Sequence, residues 1–198
     1  IHSKPDGILV LVSEKNIFNV TKSIMHYKIP LFIEKPPGLL PQETKIIADF
    51  ARKNKVVTMV GYNRRYYSIF HKGIKIIKDH GDLLGVTIEG HERYWNLIDK
   101  KKEDILNSWL YVNSTHTLDL LRFFGGEISK TKFFSVNRFN KYGDQFAMIL
   151  EYKSKTIGSY ISHWNSPGGW SVKLYGNGVT VEFKPLESGK WYEKDLNE

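Results

Sequence analysis

The 198-residue chain carries 29 Lys and Arg against 21 Asp and Glu, a formal net charge of +8, with 41% hydrophobic residues and no cysteine. This is the composition of a globular protein of one large domain or two small ones, and it excludes disulfides and thiolate metal sites. No apolar run approaches the roughly 18 residues of a membrane-spanning helix, and no basic stretch leads into an apolar one as in a secretory signal, so the expected location is cytoplasmic and away from membranes. The cationic residues are scattered. The densest run, Lys100-Lys101-Lys102, is followed at once by Glu103 and Asp104. The surplus charge therefore points to small anions rather than to nucleic acid.

In chain order, Ile8 to Val12 is a continuous apolar run that reads as a parallel strand buried on both faces. Ile17, Val20, Ile24 and Met25 recur at helical spacing and predict a helix over Lys15 to Tyr27. Leu31 to Ile33 is a second strand, which must stop at Pro36-Pro37 because proline cannot donate to a ladder. A helix opening at Pro41 presents Ile46, Ile47, Phe50 and Ala51 on one face, and Val56 to Val60 is a third strand ending at Gly61. Alternating strands and helices in so short a span imply right-handed βαβ units and a parallel sheet. A helix over Ser68 to Asp79, a strand over Leu84 to Tyr94, a charged stretch at 99–104 and a helix over Trp109 to Phe124 follow. Beyond Lys130 a meander is expected, with strands at Lys132 to Phe139, Gln145 to Tyr152, Thr156 to His163, Ser171 to Tyr175 and Thr180 to Phe183. The fold class is thus part of a Rossmann-type parallel sheet (1–62) followed by a mainly antiparallel open sheet with packed helices (63–198).

Three groups of residues suit chemistry. Glu34-Lys35-Pro36 falls at the carboxyl end of a strand, where open α/β sheets bind ligands, and a lysine there is a candidate proton carrier. The same pair also suits a plain surface ion pair. Gly61-Tyr62-Asn63-Arg64-Arg65 offers amides and guanidinium groups to an anion or a cofactor's polar edge, or simply to local carboxylates. In Asn113 to Leu121, Asn113, His116 and Leu120 would share one helical face, with Asp119 placed to orient the imidazole of His116. A structural histidine fits that helix as well. The seven histidines are dispersed, and no metal site is expected.

Taken in this order and spacing, the three groups resemble the glucose-fructose oxidoreductase / inositol dehydrogenase / MocA-like family of NAD(P)-dependent sugar dehydrogenases, from about Asp6 to the end. The resemblance implies NAD or NADP as cofactor, with Val12, Ser13, Glu34 and Asn63 along it. Lys35 and His116 would be the acid/base groups, and Lys35, Arg64, Asn113 and His116 would contact a sugar or nucleotide sugar. Gly168-Gly169-Trp170 and Pro185-Leu186-Glu187 are similar to branches acting on nucleotide sugars. A homo-oligomer through the carboxyl-terminal sheet is implied too.

Three departures from the family are visible, one of them Ile17, where many members carry a histidine in the helix after the first strand seen here. The family's Gly-rich turn, with the first strand and helix, would lie upstream of Ile1, and Val112 stands where many members carry an aspartate four residues before the histidine. The chain thus reads as a carboxyl-terminal piece of a longer dehydrogenase or, alternatively, as a non-catalytic sugar-binding or assembly module. If so, the strand at Ile8 to Val12 lacks its neighbour, and its apolar edge should be covered by the intact protein or by another copy.

Overall fold

The computed structural model describes residues 5–98, 100 and 103–194, with the side chain of residue 104 left aside; residues 99, 101 and 102 of the charged stretch lie outside the described residues. The chain divides into two compact units. One holds the chain up to Tyr62 together with Ser108–Thr115, and the other holds Asn63–Asn107 and the chain from His116 onward.

In the first unit, β1 (Ile8–Val10), β2 (Leu31–Ile33) and β3 (Thr58–Val60) form a parallel sheet in the order β1-β2-β3. Between them run α1 (Ile17–Ile24), prolonged by a 3-10 turn over Met25–Tyr27, and α2 (Pro41–Asn54). Each connection is the helical crossover that the βαβ pattern demands. Val10, Ile17, Met25, Leu31, Ile33 and Ile47 make the core, with Ile8, Phe18, Val20, Ile24 and Phe50 packed around it. Fully burying a side chain such as Ile17 contributes about 1.5–3 kcal/mol. On α2 the buried positions are Ile47 and Ala51, while Ile46 is 46% exposed and lies outside the expected apolar face. The amino end of α2 is capped by Glu43, whose Oε2 accepts the amides of Leu39 at 2.8 Å and Leu40 at 3.2 Å.

Among the described residues β1 pairs with β2 alone, and Leu9 and Leu11 are 67% and 63% exposed. The expected cover over this apolar edge is therefore not supplied by the described residues.

The second unit begins with a 3-10 turn over Asn63–Tyr66 and α3 (Ser68–Asp79), followed by β4 (Gly85–Gly90). The predicted strand ends earlier than Tyr94, because Tyr94–Asn96 turns in a 3-10 conformation. Next come α4 (Glu103–Asn107), then α5 (Trp109–Val112), which belongs to the first unit, and α6 (Thr115–Gly125), which returns to the second from His116 onward. The single helix predicted over Trp109 to Phe124 is in fact broken at Asn113–Ser114. Both of their amides donate to the Trp109 carbonyl, at 2.9 and 3.3 Å, which closes α5 before α6 begins.

β5 (Ile128–Val136), β6 (Gln145–Tyr152), β7 (Ile157–His163), β8 (Trp170–Gly176), β9 (Val179–Phe183) and β10 (Gly189–Glu193) join β4 in a seven-stranded sheet ordered β10-β9-β8-β4-β7-β6-β5. All neighbours are antiparallel except β4 and β7, which run parallel. β5 ends before the predicted Phe139 because the Asp144 carboxylate draws in the amides of Arg138, Phe139 and Asn140, at 2.5–2.8 Å. β10 escaped the sequence pattern altogether. Ile88, Tyr160, Val172 and Phe183 align in register on one buried face. There α3 and α6 close over β9, with Phe70 stacked edge-on against Phe183 at 4.9 Å and Phe124 at 5.1 Å.

Candidate functional site

In the first unit the three parallel strands present their carboxyl ends at one edge of the sheet. That edge holds Val12 and Ser13 after β1, Glu34 and Lys35 after β2, and Gly61 and Tyr62 after β3. The backbone fixes them: the amide of Glu34 donates to the Val10 carbonyl at 3.0 Å, and that of Gly61 to the Ile33 carbonyl at 2.9 Å. Val12 and Ser13 are exposed, and Ser13 Oγ accepts from Asn16 Nδ2 at 3.1 Å. The Glu34 carboxylate lies against the Gly61 backbone, where an added Cβ would sit 3.1 Å from Oε2, so glycine allows the carboxylate to be there.

Lys35 is half-buried, and its Nζ donates to the main-chain carbonyl of Val112 at 2.9 Å. Beside it the Tyr62 hydroxyl shares a 3.0 Å hydrogen bond with Thr115 Oγ1. Two of the carboxyl-terminal strand ends are thus tied to the 108–115 segment, which is anchored by buried Trp109, Val112 and Ser114. Val112 supplies, through its backbone, an acceptor where its side chain offers none. Asn113, half-buried, belongs to this segment and sits in the break between α5 and α6. The expectation that Asn113 shares a helical face with His116 therefore fails.

In the second unit, His116 lies in the first turn of α6, 7% exposed, with its ring centroid 6.1 Å from that of Trp170. Asp119 does not orient it. Both Asp119 oxygens are engaged by Arg65, Nε at 2.7 Å and Nη2 at 2.5 Å, a two-point pairing of guanidinium and carboxylate. Asn63 opens the 3-10 turn and is exposed. Arg64 stacks on Tyr67 and Trp170, its guanidinium carbon 5.0 and 5.8 Å from the ring centroids, and its Nη1 donates to Glu187 at 3.1 Å.

Because β4 and β7 are parallel, the histidines at their carboxyl ends also meet. His91 and His163 stack at 5.4 Å and 8°, and the His163 amide donates to His91 Nδ1 at 3.1 Å. Burial holds the His91 pKa below its usual value, with His163 and Lys184 acting in the same direction against Glu89. Among the described residues no group of three or more His, Asp and Glu is placed to hold a metal ion, and no helix is long and apolar enough to cross a membrane.

Sequence reasoning missed the Val112 carbonyl, the Tyr62 hydroxyl and Tyr67. A backbone carbonyl leaves no residue-type signature; Tyr62 stands within the Gly61 to Arg65 group, where the amides and guanidinium groups were the signal, and Tyr67 lies just beyond it.

Residues 1–62 match the family model described as an oxidoreductase family with NAD-binding Rossmann fold, GFO_IDH_MocA. No curated protein sequence matches the chain. Solved structures share its fold. Levoglucosan dehydrogenase in complex with NADH and levoglucosan superposes with a TM-score of 0.81 at 15% identity, covering 97% of this chain and 58% of that one. An inositol dehydrogenase homolog from Azotobacter vinelandii, complexed with NADH and myo-inositol, gives 0.78 at 17%, covering 97% and 54%. The WlbA dehydrogenase from Chromobacterium violaceum, in complex with NADH and UDP-GlcNAcA, gives 0.78 at 14%, covering 98% and 61%. The chain spans little more than half the length of these structures, and identities this low speak to the fold alone.

Proposed function

We propose, from the premise that residues 1–62 belong to the Gfo/Idh/MocA oxidoreductase family, that the chain serves as part of an NAD(P)-dependent dehydrogenase acting on a hydroxyl of a sugar, cyclitol or nucleotide sugar. The observation that carries this reading is Lys35, held at a strand's carboxyl end by the Val112 carbonyl at 2.9 Å. Lysine needs such a fixed acceptor to present its remaining protons in one direction.

The edge formed by Val12, Ser13, Glu34 and Gly61 suits a dinucleotide. It is open, it has no Cβ at Gly61, and it sets a carboxylate beside that glycine to accept from ribose hydroxyls. When bound, the nicotinamide takes or gives the hydride. In this reading Lys35 donates a hydrogen bond to the reacting hydroxyl, and His116 removes its proton as the carbonyl forms, so that no free alkoxide accumulates. Asn63 serves the cofactor, while Arg64 and Asn113 orient the sugar. The cysteine-free composition fits the cytoplasm.

Titration of NADH and NADPH fluorescence with the intact protein tests the reading. Binding is expected; no change with either nucleotide overturns it in favour of a non-catalytic sugar-binding or assembly module. If Lys35→Met and His116→Ala left turnover unchanged, neither would be the acid/base group.

The same proposal includes self-association through the seven-stranded sheet. Phe134, Ala147 and Ile161 stand side by side across β5, β6 and β7, and Phe134 and Ile161 are 65% and 38% exposed. Phe134→Glu is expected to shift sedimentation toward monomer; an unchanged profile removes this interface.

A further inference from the structure

In the second unit the 3-10 turn and the residue before α3, the start of β8 and the turn after β9 bring Arg64, Tyr67, Trp170 and Glu187 together, with Trp170 beside His116. The Arg64 guanidinium is covered by aromatic rings, Tyr67 at 5.0 Å and Trp170 at 5.8 Å. Glu187 Oε1 accepts from both Arg64 Nη1 and the Tyr67 hydroxyl, each at 3.1 Å. This is the one hydrogen bond of the guanidinium among the described residues, and Nε is buried with no acceptor there. A guanidinium carries five N–H donors, and its Nε–Nη2 edge is the fork that carboxylates and phosphates engage at two points. Arg65, one residue on, uses that edge on Asp119. Arg64 has no such carboxylate.

The indole of Trp170 links this unused edge to the candidate acid/base residue. Its ring lies 5.8 Å from the guanidinium carbon and 6.1 Å from the His116 ring. One ligand lying along the indole can therefore reach both. The Arg64 side chain keeps 27% of its surface open and that of Glu187 60%. A depression of about 320 Å³ lined by Tyr66, Tyr67, Ser68, Ile69 and Glu187 gives that carboxylate room to swing aside.

We infer that Arg64, stacked on Trp170 and shared with Glu187, forms an oxyanion subsite beside His116, so that the substrate is an acidic sugar bearing a carboxylate or phosphate rather than a neutral polyol. The inference rests on the sugar-dehydrogenase reading and narrows its substrate class. Glu187 is the resident anion with which the substrate's acid group competes.

Calorimetric titration of the intact protein at low salt, without nucleotide, tests this with glucose, glucuronate and glucose 1-phosphate. One or both acidic sugars are expected to bind roughly tenfold or more tightly than glucose, since charge-assisted two-point bonds are the strong ones. The one preferred tells carboxylate from phosphate. Arg64→Lys keeps the charge and loses the fork, so the preference is expected to collapse with the melting temperature unchanged. Glu187→Gln removes the competitor and is expected to tighten the acidic sugars several-fold while leaving glucose alone. Equal affinity of the wild type for all three sugars overturns the inference, as does an Arg64→Lys variant that weakens all three alike or a Glu187→Gln variant with no gain. Acid preference in a protein that binds neither NADH nor NADPH would keep the subsite and remove the dehydrogenase; nucleotide binding without acid preference would do the reverse.

Discussion

Lys35 Nζ donates a 2.9 Å hydrogen bond to the carbonyl of Val112, across 77 residues of sequence. This bond joins the end of β2 to the 108–115 segment within one compact unit. A charged donor to a half-buried carbonyl contributes about 1.5–3 kcal/mol. Lys35→Met is thus expected to loosen that segment, raising amide hydrogen exchange at 111–115 while α2 keeps its protection. Wild-type exchange throughout would show that the bond positions the lysine without holding the segment. In an intact, active enzyme the same substitution is expected to lower turnover about 10²-fold or more.

Arg65 and Asp119 make a second long-range tie, this time within the second unit, and the Asp119 side chain is only 11% exposed. Asp119→Ala leaves the guanidinium without its two-point partner and is expected to destabilise by about 2–3 kcal/mol in urea unfolding. Because its oxygens serve Arg65, Asp119→Asn is expected to leave the orientation of the His116 ring, read from its NMR contacts to Trp170, unchanged. A reoriented ring would restore Asp119 as the residue that orients the imidazole.

Tyr152 is 1% exposed, its hydroxyl donates to the Leu121 carbonyl at 2.9 Å, and burial pushes its pKa up to about 12. A raised pKa means the folded state holds its proton longer than the unfolded chain does. Its contribution is complete below pH 10 and is lost as the pH rises from there through about 12. Tyr152→Phe is expected to lose about 1 kcal/mol at neutral pH and to flatten the decline above pH 10, measured by urea unfolding across that range. The ring also presses on α6, where a Cβ on Gly125 would fall 2.2 Å from Cζ. Gly125→Ala is expected to cost about 1–3 kcal/mol by overpacking, with a lower melting temperature as the readout.

His91 behaves in the opposite sense. Its pKa is held below 6.5, so the unfolded chain binds the proton first, and stability present above pH 6.5 is lost as the pH falls through the lower folded value. Protonation also removes the Nδ1 acceptor from the His163 amide. His91→Asn keeps an acceptor oxygen that cannot titrate, and its unfolding midpoint is expected to change less between pH 7 and 5 than the wild type's. An identical pH dependence would place the effect elsewhere.

The sequence made the parallel sheet legible because buried runs such as Leu31 to Ile33, ended by Pro36-Pro37, carry both their length and their stop in residue types. It also led to Lys35 and His116 as residues. It did not reveal what they touch. Trp109 to Phe124 carries apolar residues on both sides of Asn113-Ser114-Thr115, which read as a polar face of one helix although such residues also favour helix ends, so the break after Val112 was passed over. Asp119 sits one turn from His116 in sequence, yet two-point pairing with Arg65 claims it, a competition that only three-dimensional packing decides. β10 (Gly189–Glu193) was hidden because Trp191 and Tyr192 break the alternation that marks a half-buried strand.

The central place of β4, between β7 and β8, sets an order on the birth of the sheet. β4 is made long before either neighbour: its partners are Ile157–Ile161 on one side and Trp170–Tyr175 on the other. As the chain leaves the ribosome, Val86 and Ile88 must therefore wait, with both backbone edges vacant, for some 70 further residues to be synthesised. Premature termination anywhere before β7 would leave an apolar strand with no ladder to join. The sheet can only be completed late and together, so this polypeptide depends on shelter during synthesis more than its modest size suggests.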